Sequence, residues 1–585
     1  MKPLPYFFLG ALLIACSFAA NGINDEEIAA AAVDGRQWLS FGQGYANQNY
    51  SALNQIDTGS VSGLKPVWNY SSGKTGSFQA QPLVAGGVMY ITLPGNDVIA
   101  LDAETGDEVW HYQHRSRFEK TKGGPANRGA ALGYGKVFEA TNDGRLIALD
   151  QYTGAVLWET TVAQATEADT AGLNATEAAA LAANISKLPV KVPPLVYDGK
   201  VIVGVTSAGY GIYYDFVRGV VDGGAPPANK FLGLRGYIAA YDAHDGQELW
   251  RWHTTKGGAW EGGFRAATPE GEALPRDIAD ERAAAAKHRD AWRVGGSSTW
   301  MTPALDPELG LIYAGTGNAS PNDAPQLRPG DNLYANSLVA IDVHSGATRW
   351  HYQQVPHDLW GYDLASPAVL FDIGGIPAVS IASKTGWVYV HDRRNGELLF
   401  RSEALVPHHN MFAEPTTQGV VGSPGSFGGV SWSPTSFDAN TGLLYVPAIH
   451  KPTTYSVRQA LLDSGPVTYI YYDVKNNEPS WGTLSAVDTR DKGKIAWQIK
   501  TPEPLIGGVL ATAGGVLFMG EGNGRFNAFD SSSGARLWAY DCGAGVNAPA
   551  MSYEINGRQY VAVAAGGHRY LGFPGGDTLH VFALE

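Results

Sequence analysis

Residues 98–110, VIALDAETGDEVW, hold the pattern that decides the fold. Apolar residues alternate up to Asp102, as in a strand with one buried face. The Asp-x-x-x-Gly that follows is typical of a tight turn, because the Asp side chain can bond backbone amides and the Gly supplies a positive φ. Apolar residues then resume up to Trp110. The stretch therefore predicts two strands joined by a short turn.

The same unit recurs along the chain. Five further stretches keep the Asp and the terminal ring eight residues apart, and a seventh unit is one residue longer. Runs such as GGVMYIT supply further strands, and about four short strands per repeat are the signature of a β-propeller. The further units are LIALDQYTGAVLW (146–158), IAAYDAHDGQELW (238–250), LVAIDVHSGATRW (338–350), VYVHDRRNGELLF (388–400), FNAFDSSSGARLW (526–538) and LSAVDTRDKGKIAW (484–497).

The aromatic ring at the end of each unit has a structural interpretation. We expect it to pack between adjacent sheets as scaffold. The final strand, DTLHVFAL (577–584), has no partner in its own unit, and WLSFGQGYANQNYSAL (38–53) lies at the other end of the chain. We expect these two ends to meet in one blade and close the ring, which removes open sheet edges. The predicted fold is all-β, with one propeller domain over residues 37–585.

Three stretches depart from the repeat. Residues 163–188 are rich in Ala, Thr and Glu and predict a helical insertion with some loop. Residues 211–231 form a long Gly-, Pro- and aromatic-rich loop, and residues 268–292 predict a charged amphipathic helix. Long loops on a rigid scaffold either build a site or decorate the surface, and both interpretations stay open.

Composition excludes some partners. The chain has 585 residues, a formal net charge of −14 and no basic run. Phosphate backbones attract clustered Lys and Arg, so the sequence predicts no nucleic-acid partner. Gly is abundant at 73 residues, with 28 Tyr and 16 Trp, a composition that favours many short strands.

The first residues predict a targeting segment. Lys2 precedes the apolar run YFFLGALLIA, which is too short to span a bilayer, so residues 1–20 resemble a secretory signal peptide. Leu13-Ile14-Ala15-Cys16 resembles a lipoprotein box that would put a lipid on Cys16, whereas Ser17-Phe18-Ala19 is a site for ordinary cleavage. Either way we expect export to the periplasm, with a lipid membrane anchor only in the first case.

The cysteines of the chain indicate which covalent links it can form. Cys16 and Cys542 are the two cysteines of the chain, so the sequence predicts no disulfide within the exported fold. The sequence contains no Cys-x-x-Cys-His, so we expect no covalently attached c-type haem.

Three long segments carry a family resemblance. ANRGAALGYGKVFEATNDGRLIALD (126–150), GGSSTWMTPALDPELGLIYAGTGN (295–318) and RPGDNLYANSLVAIDVHSGATRWHYQQVPHDLWGYD (328–363) resemble, in the same order, segments of the quinoprotein alcohol dehydrogenases. These are eight-bladed propellers that use pyrroloquinoline quinone (PQQ). The resemblance implies an exported dehydrogenase that oxidises an alcohol or other CH–OH group. It also implies a separate electron acceptor, a cytochrome c or a membrane quinone.

The resemblance also implies roles for individual residues. PQQ is a flat quinone with three carboxylates, so it requires an aromatic floor, cations and a polarising metal. By resemblance Trp300 is the floor, Asn318 is a metal ligand, and the remaining cofactor contacts are Gln79, Arg128, Thr206, Ser207, Ala208, Lys384 and Ser431.

Several family positions hold other residues here. No Cys pair precedes Asn127-Arg128-Gly129, and Gly209 stands where the family has a metal-binding Glu. Gln79 matches an acidic residue of the family, and Ser431 matches an Asn. These departures leave the metal open between calcium, a lanthanide and none.

The stretch PHDLWGYD (356–363) resembles the family's catalytic segment, with Gly361 at the place of the usual Asp. Asp363 matches an extra metal-binding Asp of lanthanide-using members. Residues two apart on a strand share a face, so Asp363 is our candidate both for catalytic base and for metal ligand. We interpret His357 and Asp358 as turn and packing residues. Asp215, in the long loop, is a candidate replacement carboxylate.

Three functions remain open on the sequence. The first is a PQQ-dependent alcohol dehydrogenase, favoured by Trp300, Arg128 and Lys384. The second is a non-catalytic propeller that acts as a binding or assembly scaffold, favoured by Gly209 and Gly361. The third is a quinoprotein whose base and substrate are set by the inserted loops.

Overall fold

The computed structural model describes residues 22–119, 124–206, 235–255, 263–462 and 465–585. The expected signal segment with Cys16, the cofactor candidates Ser207 and Ala208, and the loop 211–231 with Asp215 therefore lie outside the described residues.

Eight blades, each a sheet of four or five strands, form the described part of the chain, with one further three-stranded sheet. The all-β eight-bladed propeller is confirmed. In blade 1 neighbouring strands are antiparallel, and every residue of its first strand, β3, is buried. The strands are β1 Tyr50–Ser51; β2 Lys65–Gly76; β3 Leu83–Ala85, β4 Val88–Thr92, β5 Val98–Asp102 and β6 Glu108–Tyr112 (blade 1); β7 Ala131–Gly133, β8 Lys136–Ala140, β9 Arg145–Asp150 and β10 Val156–Thr161 (blade 2); β11 Leu195–Tyr197, β12 Lys200–Gly204, β13 Tyr237–Asp242 and β14 Glu248–His253 (blade 3); and β15 Ala304–Asp306, β16 Leu311–Gly315, β17 Ser337–Asp342 and β18 Thr348–Gln353 (blade 4).

The second half of the chain continues the pattern, and blade 6 contains an insertion. Between its strands β25 and β28 the chain forms β26 and β27, which pair with β23 in the three-stranded sheet β23–β26–β27. The strands are β19 Val369–Ile373, β20 Ile376–Ala382, β21 Val388–Asp392 and β22 Leu398–Arg401 (blade 5); β23 Val420–Gly422; β24 Ser436–Asp438, β25 Leu443–His450, β28 Trp481–Asp488 and β29 Lys494–Thr501 (blade 6); β26 Thr453–Leu462 and β27 Gly465–Asp473; β30 Val509–Thr512, β31 Val516–Gly520, β32 Arg525–Asp530 and β33 Arg536–Asp541 (blade 7); and β34 Met551–Ile555, β35 Arg558–Ala565 and β36 Gly576–Ala583 (blade 8).

Repeat tryptophans join neighbouring blades, as predicted. The Trp110 indole N–H donates to the carbonyl of Gln151 in blade 2 at 3.1 Å. A Cβ on Gly154 would lie 2.6 Å from the Trp110 ring, so the repeat glycine leaves room for the ring as well as supplying its φ of +70°. One detail differs from the prediction: β6 continues two residues beyond Trp110.

Ring closure uses a later segment than we expected. Strand β36 pairs antiparallel with β2, with Val581 opposite Trp68, so the two ends of the chain do complete blade 8. The ring of Trp68 then lies against Gly106 of blade 1, where a Cβ would be 2.6 Å away. From the stretch 38–53, only Tyr50–Ser51 forms a strand, and it pairs in parallel with β30 of blade 7.

Helices occupy the connections. The insertion 163–188 is helical as predicted, whereas 268–292 forms two short helices instead of one long helix, and the first of them buries no side chain. In the described ranges no helix is long and apolar enough to cross a membrane. The helices are α1 Asp25–Asp34, α2 Glu167–Thr170, α3 Ala175–Ile185, α4 Ile278–Ala285 and α5 Ala291–Val294, with 3₁₀ turns at Val61–Gly63, Pro325–Leu327 and Arg569–Leu571.

Candidate active site

The candidate site is built by the segments that enter the innermost strands. Gln79, Lys191 and Trp300 each lie four residues before the first strand of a blade, and Arg128 lies three residues before β7. Equivalent positions in a radial repeat point to equivalent places, so these side chains come from four neighbouring blades to one end of the central axis.

Backbone hydrogen bonds tie these segments to their neighbours. The Gln81 amide donates to the carbonyl of Arg128 at 3.2 Å, and the Arg128 amide donates to the carbonyl of Lys191 at 3.3 Å. Farther round, the Thr299 amide donates to the carbonyl of Val205 at 3.0 Å. Each segment is therefore held by its neighbour, which fixes the side chains that face the axis.

Arg128 lies between two indole rings. Its guanidinium carbon is 5.3 Å from the ring centroid of Trp300 and 4.8 Å from that of Trp432. The side chain is buried, its Nε has no hydrogen-bond partner, and among the described residues no carboxylate forms an ion pair with it. Burial lowers the pKa of Arg128 to about 10, so it stays charged at neutral pH. A buried cation held only by ring faces is incompletely compensated.

Lys384 and Asp363 form an ion pair beside the same aromatic floor. The Lys384 ammonium contacts Asp363 Oδ2 and lies 5.9 Å from the ring centroid of Trp300. Asp363 Oδ1 accepts a hydrogen bond from the Asn318 backbone amide at 2.6 Å. The structure thus brings together Trp300, Arg128, Lys384, Asp363 and Asn318, which the sequence separates by up to 256 positions.

The remaining cofactor candidates differ in how available their polar atoms are. Gln79 is buried, and its Oε1 has no partner. Ser431 is buried next to Trp432, and the Val430 amide donates to the carbonyl of Ser383, which neighbours Lys384. The Thr206 hydroxyl is already used: it donates to the carbonyl of Pro189 at 2.7 Å and accepts from the Lys191 amide at 3.2 Å.

The stretch PHDLWGYD folds as a capped turn around Asp358. The Asp358 carboxylate accepts hydrogen bonds from the backbone amides of Trp360, Gly361 and Tyr362, each 3.0 Å or shorter to one of its oxygens. His357 is buried, with Nδ1 2.8 Å from the carbonyl of Gly330, and burial lowers its pKa to about 3. Both residues therefore have the turn and packing roles that we assigned to them.

Gly361 lies in the left-handed region, with a φ of +81°. A Cβ there would contact the Cβ of Ser426 at 3.4 Å. The backbone here therefore has a conformation that favours glycine, and an Asp at this position would be strained.

The three-stranded sheet β23–β26–β27 packs on this turn. The Tyr455 hydroxyl donates to the carbonyl of Trp360 at 3.2 Å, and the Tyr472 hydroxyl donates to that of Leu359 at 2.7 Å. Trp360 and Tyr362 in turn donate to carbonyls of the segment 411–424. The insertion in blade 6 therefore fixes the turn that precedes Asp363.

Three further residues at this end of the axis were not predicted from the sequence. Trp432 provides the second ring face for Arg128, Lys191 adds a second buried cation, and Asn547 has an unpartnered Nδ2 four residues before β34. Their position relative to the strands could have identified them. The residue four positions before the first strand of a blade is Gln79, Lys191, Trp300, Trp432 or Asn547 in five of the eight blades.

A metal ion has few ligands here. In the part of the chain that the structure describes, no group of three or more His, Cys, Asp or Glu side chains could hold one. Asp363 is already engaged by Lys384, and the Asn318 Nδ2 donates to the carbonyl of Ala319 at 3.4 Å. A hard cation prefers six or more oxygen ligands. The described residues therefore do not fit the calcium or lanthanide ion that the resemblance implies.

Comparison with known proteins places these residues in a family. A family model described as "PQQ: Glucose/ethanol/alcohol dehydrogenase, beta-propeller domain" matches residues 38–409 and 469–561. The chain is 31% identical to the quinoprotein alcohol dehydrogenase PedH of Pseudomonas putida, over 95% of this chain and 90% of that protein.

Solved structures give the same result. The quinohemoprotein alcohol dehydrogenase from Comamonas testosteroni superposes with a TM-score of 0.76 at 30% identity, covering 96% of this chain and 82% of the other. A europium-containing methanol dehydrogenase superposes with a TM-score of 0.75 at 27% identity, covering 96% of this chain and 100% of the other. The propeller predicted from the repeats is thus the one these relatives share.

The described residues fit a flat, anionic cofactor. Three buried polar atoms here have no hydrogen-bond partner: Arg128 Nε, Trp300 Nε1 and Gln79 Oε1. Buried polar atoms are usually satisfied, so a cluster of unsatisfied atoms around an aromatic floor indicates a ligand. PQQ supplies what is lacking, because its carboxylates and quinone oxygens can accept from the cations while its ring plane covers Trp300.

Proposed function

The chain belongs to the PQQ-dependent glucose/ethanol/alcohol dehydrogenase family of β-propellers, and from that premise we propose that it is an exported quinoprotein dehydrogenase that oxidises an alcohol or other CH–OH substrate. The observation that carries the proposal is the buried guanidinium of Arg128, held between Trp300 and Trp432 without a counter-anion among the described residues. An anionic quinone offsets that buried charge.

Arg128, Trp300 and Lys384 hold and orient the cofactor in this proposal. Trp300 presents a ring face on which the quinone plane stacks. Arg128 and Lys384, both within 6 Å of the Trp300 centroid, donate to oxygens at the cofactor edge. Gln79 and Ser431 complete the contacts, together with Thr206, Ser207 and Ala208 by resemblance. Bound PQQ supplies the oxidising power, because it accepts the two electrons removed from the substrate carbon.

Asp363 is the proposed base. Oxidation of an alcohol requires a group that takes the hydroxyl proton, and a positioned carboxylate can do this. The Asn318 amide holds Oδ1 and Lys384 holds Oδ2, so the carboxylate is fixed in orientation. Asn318 and Asp363 are the positions that the resemblance assigns to a calcium or lanthanide ion, but their present contacts do not fit such an ion, and the proposed role of Asp363 as base does not require one.

The wider setting is also proposed. Electrons pass to a separate acceptor, a cytochrome c or a membrane quinone, since no haem-attachment motif is present in the sequence. Export to the periplasm follows from the signal-like residues 1–20, and a lipid on Cys16 would anchor the protein to the membrane. No nucleic-acid partner is expected from the net charge of −14.

A cofactor titration tests the proposal. Purified protein is titrated with PQQ alone, with calcium, with a lanthanide and with a chelator, while tryptophan fluorescence and thermal unfolding are followed. Saturable quenching with a rise in Tm is expected, and alcohols are then screened with an artificial electron acceptor. Absence of PQQ binding under all four conditions would refute the proposal and favour the non-catalytic scaffold.

A further inference from the structure

Lys191 is a buried cation that neither the repeat nor the family resemblance accounts for. It lies four residues before β11, the position that Trp300 occupies before β15 and Gln79 before β3. Its side chain is 5% exposed. The register therefore directs Lys191 to the same end of the axis as the candidate cofactor residues.

The contacts of Lys191 leave its charge uncompensated. The ammonium donates to one neutral acceptor, the carbonyl of Gly124, at 2.7 Å. In the described ranges no carboxylate lies within ion-pair distance of it. Burial, and secondly the charge of Arg128, lower the pKa of Lys191 to about 7. The backbones of Arg128 and Lys191 are hydrogen-bonded to each other, so the two cations belong to adjacent segments.

Two adjacent buried cations are costly without an anion. Each loses its hydration, and they also repel each other. A carboxylate placed between them would accept a charge-assisted hydrogen bond from each and remove the repulsion. The arrangement is therefore complementary to an anionic group bound at this end of the axis.

We propose that Lys191, together with Arg128, binds a carboxylate of the quinone cofactor, which makes it a cofactor-specificity residue of this chain. The inference rests on the proposed function, because it names an anionic group of PQQ. Lys191 also selects against neutral quinones, which would leave both buried cations unpaired.

The first test compares Lys191→Met with Lys187→Met. Lys187 lies in the same segment and is exposed, so it controls for the loss of a positive charge. PQQ affinity, measured by fluorescence quenching and calorimetry, should fall about tenfold or more in Lys191→Met and stay within about twofold in Lys187→Met. The trimethyl ester of PQQ, which lacks the charges, should bind both variants equally. If Lys191→Met lost affinity for PQQ and for its trimethyl ester to the same degree, Lys191 would not recognise a carboxylate and the inference would be overturned.

Stability separates a binding role from a structural role. Without cofactor, Lys191→Met should raise Tm at pH 7 or below, because an unpaired buried cation is removed. A structural lysine would instead lower Tm on removal. Lys191→Arg keeps the charge and should retain PQQ affinity within a few-fold.

The wild-type protein supplies a test that does not depend on any variant folding. Lys191 must be protonated to bind an anion, so PQQ affinity should fall as pH rises from 7 to 9, with proton uptake on binding. Arg128, with a pKa of about 10, stays charged over this range, and His568, whose pKa burial lowers to about 4, stays neutral. A flat profile with unchanged affinity in Lys191→Met would overturn the inference but not the proposed function. Failure of the wild type to bind PQQ would overturn both.

Discussion

Trp250 and Trp300 show how differently the same residue type is used in two regions of this propeller. The Trp250 indole N–H donates to the carbonyl of Val343 in the next blade at 3.0 Å, and its ring lies against Gly346. The Trp300 Nε1 is buried without a partner, and two cations lie within 6 Å of its ring. The first ring is satisfied within the scaffold, whereas the second is left unsatisfied.

The difference separates residues that stabilise the fold from residues that await a ligand. Around the outer ring, six repeat tryptophans donate to backbone carbonyls of a neighbouring blade or of the closing segment. At the axis, Arg128 and Lys191 are buried cations with no carboxylate partner among the described residues. A buried cation without a counter-charge costs stability, so the presence of Arg128 and Lys191 at one end of the axis favours that end as the place where an anionic cofactor binds.

Loss of the proposed base should have the largest effect. Asp363→Asn keeps the shape but removes the proton acceptor, so kcat of the PQQ-loaded enzyme should fall about 10²–10⁴-fold. PQQ affinity should change much less. Steady-state kinetics with an alcohol and an artificial acceptor measure this, with exposed Asp372→Asn as the control. An unchanged kcat would show that Asp363 is not the base, and the residues at the axis would then have a binding role alone.

Truncation of a scaffold ring should give the opposite pattern. Trp250→Ala removes a nearly buried ring and leaves the carbonyl of Val343 without its donor, so unfolding free energy should fall by about 3–5 kcal/mol. PQQ affinity of the folded fraction should be unchanged. Denaturant unfolding, followed by a PQQ titration under native conditions, measures both. A loss of affinity with little loss of stability would contradict the division between the two regions.

The smallest predicted effect concerns acid stability. Burial lowers the pKa of His391, which lies within blade 5, to about 4. The folded state therefore prefers neutral His391, so its contribution is complete above pH 6.5 and is lost as pH falls from 6.5 towards 4. His391→Gln should reduce the decline in unfolding free energy by about 1.4 kcal/mol per pH unit in that window.

The quantity to compare is the slope of unfolding free energy against pH, because a loss of stability that the substitution causes equally at every pH does not change this slope. Exposed His409→Gln serves as the control and should leave the slope as in the wild type. An unchanged slope in His391→Gln would show that folding does not lower the pKa of His391. PQQ should not alter the His391 effect, because this side chain belongs to the scaffold.

Much of the fold could be predicted because its signals are local. The turn at Asp102 and the ring of Trp110 lie within one unit of the repeat, so the strand pair follows from 13 residues. The closing strand β2 was not predicted, because its partner β36 lies more than 500 positions away. The stretch 268–292 was predicted as one helix, but it breaks into two where no core is present to hold a longer one.

Less of the site could be predicted. The resemblance identified Trp300, Arg128, Lys384, Asp363 and Asn318, which the structure brings together. It gave no indication that the Thr206 hydroxyl is used by Pro189 and Lys191, nor that Gly361 adopts a left-handed conformation. Such facts depend on which neighbouring segment supplies a carbonyl or an amide, and this is decided by blade packing.

The sequence by itself determined the repeat, the propeller, and the residues that resemble a quinone site. These are properties of periodicity and turn chemistry, which act over a few residues. Tertiary structure alone decided that Arg128 and Lys191 are neighbouring buried cations without a carboxylate partner among the described residues, and that Lys384 engages Asp363. Burial and the pairing of charges arise only when eight blades bring their inner segments to one axis, because both depend on neighbours that are distant in the chain.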